Sequence, residues 1–173
     1  MFLGKPNILD GRKWAPKIVG GEVSPLGAFP HQVSFGYDMK HLCGGSILNS
    51  ESIATAAHCC EGLDDHLKGL TVLAGANNVV SPESGFQSTK VKKLIIHPSY
   101  NDSTLFNDIC IVRLAEPLIL SMEKRTSAVK LPQEGYTATG LAIASGWGAT
   151  SEDGELFFSL MNVTVPIITD EEW

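Results

Sequence analysis

Charge is scarce in this 173-residue sequence. Charged residues make up 18% of it, against about 25% in an average soluble protein. Acidic residues outnumber basic ones by 19 to 13, a formal charge of −6. A nucleic-acid binder needs a basic face to neutralise phosphates, so this balance excludes that class. No apolar run approaches the roughly 20 residues of a membrane helix, which excludes a spanning helix. At the start, Met1-Phe2-Leu3 is followed by Gly4, Lys5 and Pro6, so the basic and apolar regions of a secretory leader are missing from this chain. No Cys-x-x-Cys or His-x₃-His spacing occurs, so no metal and no other cofactor is expected. Repeats, low-complexity tracts and a sustained helical period are missing too.

The chain is rich in apolar residues, at 43%, and in glycine, with 17. That apolar content excludes a disordered chain. Strand-like runs punctuated by turn formers fill most of the length, and the predicted fold class is all-β. Candidate strands are 31–35, 45–48, 52–56, 70–74, 87–96, 109–114, 141–145 and 161–168. The small residues of 55–59 suit one tight turn. Thr169 or Asp170 could cap a helix beginning at 169–173, with Glu171 and Glu172 in its first turn. Residues 115–132 mix Glu116-Pro117, a charged run and Leu131-Pro132, and read as a linker.

Four segments carry chemistry. Thr55-Ala56-Ala57-His58-Cys59 is followed fifty residues on by Asn107-Asp108-Ile109. Lys17-Ile18-Val19-Gly20-Gly21 precedes both, and Gly146-Trp147-Gly148 follows. Together, and in this order, they resemble the chymotrypsin-like serine endopeptidases. With Gly135–Gly140, Gly146–Glu152 and Val163–Pro166, the chain looks most like invertebrate, especially crustacean, trypsins. The resemblance runs from Ile18 to about Asp170. It implies two six-stranded Greek-key β-barrels, the second incomplete in this chain. Residues 1–17 become a propeptide remnant, 18–114 the N-terminal barrel, 115–132 the inter-barrel linker and 133–173 the start of the C-terminal barrel. His58 matches the general base that takes the proton of a serine nucleophile, and Asp108 the carboxylate that orients it. Lys17-Ile18 matches the zymogen cleavage site, whose cutting by a trypsin-like protease would free the Ile18 ammonium.

Cys43, Cys59, Cys60 and Cys110 allow three pairings. The resemblance implies Cys43–Cys59. Since His58 and Asp108 must then touch, and Cys60 and Cys110 each lie two residues beyond them, a Cys60–Cys110 disulfide is predicted as well. Two disulfides imply an oxidising compartment, hence a secreted, extracellular protein. Asn101-Asp102-Ser103 and Asn162-Val163-Thr164 are glycosylation sequons; Asn101 lies in a turn-rich loop and Asn162 in a predicted strand. The loop that binds calcium in many such trypsins matches 75–87, where only Asn78 and Glu83 stand at ligand positions and Ala76 and Phe86 replace expected glutamates. No tight calcium site is predicted. Ser46 belongs to a structural motif and is not the nucleophile. His31, His41, His66 and His97 match no triad role and read as surface or core histidines.

The family's Gly-Asp-Ser-Gly-Gly segment does not occur here. The chain as given is therefore expected to be inactive, and it reads as a partial sequence of a secreted trypsin-like zymogen. The alternative is a truncated, non-catalytic homologue with a binding or regulatory role. Expected partners are protein or peptide substrates, an activating trypsin-like protease and protein protease inhibitors; the chain is expected to be monomeric, without nucleic-acid or membrane partners.

Overall fold

In Leu70–Ala74 and Cys110–Leu114 every second residue is buried, the period of strands with one face on a core. The computed structural model describes residues 21–38, 40–149 and 156–168. The segment 1–17, the Lys17-Ile18 junction, residues 150–152 of the Gly146–Glu152 motif and the helix start at 169–173 lie outside the described residues. The described chain forms nine strands: β1 (Glu22–Val23), β2 (Gln32–Tyr37), β3 (Lys40–Asn49), β4 (Ser52–Thr55), β5 (Leu70–Ala74), β6 (Gln87–Ile96), β7 (Cys110–Leu114), β8 (Leu141–Ala149) and β9 (Leu156–Pro166). Short 3₁₀ turns occupy Ala57–Cys59 and Asp64–Gly69.

Six antiparallel strands close a barrel in the order β2-β3-β4-β7-β6-β5. Closure removes the open edges that would otherwise invite other chains. Val33, Phe35, Ile47, Ile53, Leu70 and Val112 fill its interior with no exposed surface, each worth about 1.5–3 kcal/mol of burial. The strands approach closely at Gly45, where an added Cβ would stand 2.9 Å from Ala54 O. The other strands form a three-stranded sheet, β1-β9-β8. The all-β class holds, with one closed barrel and this open sheet.

Several elements exceed their sequence signal. β3 begins five residues before 45, because Tyr37↔Lys40 pairing continues the β2–β3 hairpin through a turn with Asp38 at φ 46°; alternation was no guide through His41-Leu42-Cys43-Gly44. β8 and β9 pair across a register shift at Gly146/Gly148, which interrupts the alternation that would have marked their full length. β1 was too short to read. The segment 115–132 contains no strand but lies against the barrel. Val129 N–H donates to Ile47 O at 2.8 Å and Ser127 N–H to Pro30 O at 2.9 Å, and Leu118 and Thr126 are buried.

Asn77 joins the sheet to the barrel. Its Nδ2 donates to Ser24 O at 2.6 Å, and its carbonyl accepts from Trp147 Nε1 at 2.6 Å and from Leu160 N–H at 2.7 Å. Ser145 Oγ also meets Gln32 Oε1 at 2.8 Å. No helix among the described residues is long and apolar enough to cross a membrane.

Candidate active site

Register places His58 against Asp108. Thr55 pairs with Cys110 across β4 and β7, and antiparallel strands run on in opposite directions. The residues after Thr55 therefore meet those before Cys110. Ala56 leads β4 into the 3₁₀ turn, and there the backbone N–H of His58 donates to Asp108 Oδ1 at 2.9 Å, while its ring Nδ1 lies 2.7 Å from Oδ2. An ionised carboxylate can only accept, so Nδ1 carries the proton and the lone pair of the neutral ring sits on Nε2. Both carboxylate oxygens are thus used to fix one residue, main chain and ring together.

The side chains of His58 and Asp108 are 33% and 20% exposed, so the pair is reachable from solvent. Partial burial pushes the Asp108 carboxyl up. The His58 backbone and ring hydrogen bonds, the His58 charge and the Ala57 N–H outweigh it and hold the group below the ordinary carboxylate range. An open cleft of about 450 Å³ has Asp108, Gly44, Thr55, Ala56 and Ser145 on its walls. The arrangement can take a proton at Nε2 and stabilise the resulting imidazolium.

Two disulfides frame the pair. Cys43 is bridged to Cys59, next to His58, and Cys60 to Cys110, two residues beyond Asp108. The sulfurs of Cys43 and Cys59 and a His58 ring nitrogen lie within 4.8 Å of one another. With both sulfurs in a bridge, no thiolate remains there to ligate a metal.

In the 75–87 loop, Glu83 Oε2 accepts from the N–H groups of Asn77 and Asn78, at 2.9 and 3.4 Å, and Asn78 Oδ1 accepts from Val80 and Ser81. Arg125 ties the ends of this loop together, donating from Nε to Gly75 O and from Nη2 to Ser84 O. Asn101 is exposed, whereas Asn162 lies within β9. His66 meets Tyr37 edge to face, and His97 Nδ1 accepts from Ser99 N–H. His41, read with the other non-triad histidines as surface or core, is partly buried, with its ring against Trp147 and its Nδ1 paired with Ser34 Oγ; these partners lie too far along the chain to tell core from surface in the sequence.

A family profile described as Trypsin matches residues 18–173. The chain is 38% identical over 161 residues to trypsin-1 of Astacus astacus, 34% over 157 residues to ovochymase-2 of Mus musculus and 36% over 162 residues to trypsin of Simulium vittatum. In each case about 90% of this chain is aligned, and it spans 67%, 26% and 62% of those relatives.

Proposed function

The chain belongs to the trypsin family, and from that premise we propose that it is part of a secreted serine endopeptidase zymogen in which His58 is the general base and Asp108 its orienting carboxylate. The double hydrogen bond from His58 to Asp108, through main chain and ring, carries the reading. Acyl transfer from a peptide carbonyl to a serine hydroxyl needs a neutral imidazole held in one tautomer, and this contact supplies it. Substrates are proteins or peptides. Cleavage after Lys17 by a trypsin-like protease activates the zymogen through the Ile18 ammonium, and protein protease inhibitors compete at the same cleft. Family relatives named trypsin and the two disulfides support secretion.

Residues 1–173 contain no Gly-Asp-Ser-Gly-Gly segment. They therefore supply base and carboxylate but no nucleophile, and do not hydrolyse peptides by themselves. The test compares this chain with the product of the whole transcript, cut at Lys17, on peptide ester substrates. The whole product is expected to turn over and the 173-residue chain not to. Asp108→Asn in the whole product should lower kcat by about 10⁴, the cost of presenting the wrong tautomer in a serine triad. Full activity of Asp108→Asn would overturn the assignment. A transcript that stops after Trp173, with a stable secreted product that binds an inhibitor but hydrolyses nothing, would establish the non-catalytic homologue instead.

A further inference from the structure

The two sequons differ in what their asparagines do. Asn162 is paired with both Ser145 of β8 and Glu22 of β1, and its Nδ2 donates to Ser24 Oγ at 3.1 Å and Glu22 O at 3.4 Å. A sugar on that nitrogen would have to displace at least one of these two contacts to the β1 segment. Asn101 stands on the loop joining β6 to β7, and residues 101–104 are all exposed. Its Oδ1 accepts the N–H groups of Ser103 and Thr104 at 3.1 and 3.0 Å, so the turn uses the oxygen and not the nitrogen that a glycan would occupy. Two disulfides place the chain in the oxidising compartment where such transfer occurs.

The loop also fixes how near Asn101 is to the site. Asn101 bridges to Phe106 and donates its N–H to Phe106 O at 3.0 Å. Bridged Cα atoms lie about 5 Å apart, and two residues more, at most about 7 Å, reach Asp108. The Cα atoms of Asn101 and Asp108 are therefore within about 12 Å. Asn107 Nδ2 donates to Ser99 O at 2.9 Å and His97 N–H to Ile109 O at 3.0 Å, which hold the loop closed at its base.

We infer that Asn101, and not Asn162, carries an N-linked glycan, and that this glycan stands on the rim of the His58–Asp108 site and restricts large substrates more than small ones. The donor is a polyprenyl-pyrophosphate-linked oligosaccharide. The Nδ2–C1 bond forms as the C1–O bond breaks, the polyprenyl pyrophosphate leaves with the electron pair, one amide proton passes to a base of the transferase, and nothing is oxidised or reduced. Occupancy is independent of the proteolytic reading; the rim role rests on it.

The full chain, secreted from a eukaryotic cell behind a leader, is treated with peptide-N-glycosidase and mapped by mass spectrometry. Asn101 should be recovered as aspartate and Asn162 as asparagine. Ser103→Ala, which keeps the Oδ1 turn, and Asn101→Asp, which keeps an acceptor oxygen, should each abolish the glycan. An unmodified Asn101 in the secreted protein, or a glycan on Asn162, overturns the inference. In the product of the whole transcript, removing the glycan should raise kcat/KM severalfold on a folded protein and leave it unchanged on a short peptide ester. An unchanged ratio overturns the rim role. No hydrolysis of either substrate counts against the proteolytic reading and the rim role together, while the mass map still decides occupancy.

Discussion

His41 Nδ1 lies 2.7 Å from Ser34 Oγ, its ring packs on Trp147 with centroids 5.4 Å apart, and Nε2 is buried with no hydrogen-bond partner among the described residues. Burial pushes its pKa down from 6.5 to about 4. The unfolded chain therefore binds a proton between those values that the folded chain refuses. Stability is fully present above pH 6.5 and is lost as pH falls towards 4, by up to about 3 kcal/mol. Burial lowers His31 in the same direction, whereas Asp108, held below its ordinary 3.8, adds a loss only at more acid pH. His41→Asn offers Ser34 a hydrogen-bonding group but cannot titrate. Denaturant unfolding at pH 7, 5.5 and 4.5 should show the gap between wild type and variant shifting in the variant's favour as pH falls. Parallel curves would refute the buried-histidine account. At this scale the sequence was uneven. His58 and Asp108 stood out because their neighbours form specific motifs, but nothing adjacent to His41 marks it, since burial depends on a tryptophan from another sheet.

The β4–β7 pair and the 3₁₀ turn position the site, and two bridges of different span hold them. Cys43–Cys59 closes 16 residues and Cys60–Cys110 closes 50. On the chain-entropy account these contribute about 3 and about 4 kcal/mol. Cys60 and Cys110 are both fully buried, so their replacement by alanine also removes packing. Cys60→Ala/Cys110→Ala should therefore destabilise the chain more than Cys43→Ala/Cys59→Ala, with both pairs compared by guanidinium unfolding at one pH. The reverse order would show that local strain or residual unfolded structure outweighs loop closure. The strand at 70–74, with clean alternation, was legible in the sequence to the residue, and so was 87–96, although a register shift at Val91/Lys93 interrupts its alternation. β3, β8 and β9 were legible only in part, because glycines, a bulge and a hairpin turn break the pattern where the ladder continues. The six-residue 3₁₀ turn at Asp64–Gly69 was not read at all, since a segment with no buried residue has no apolar period to show.

Across the whole molecule, the barrel and the sheet are stabilised differently. The barrel is closed and its interior apolar residues are fully buried. The sheet is open, and its Leu141, Ile143 and Phe158 are each more than half exposed. Local opening should thus cost less in β8 and β9 than in β2–β7, which native-state hydrogen exchange reads directly. Part of the sheet's hold on the barrel passes through Asn77, whose Nδ2 reaches Ser24 O and whose carbonyl serves both Trp147 and Leu160, beside the Ser145–Gln32 and His41–Trp147 contacts. Asn77→Ala removes the donor to Ser24 O at a buried position, a loss of about 1–3 kcal/mol. That loss falls on the junction and leaves the barrel ladders intact. Exchange should accelerate at Leu160 and along β8 and β9, with Trp147 fluorescence reporting the loosening, while the amides of β4 and β7 keep their protection and His58 its contact with Asp108. Equal acceleration in barrel and sheet would mean that the two unfold as one unit and that Asn77 is not where they part.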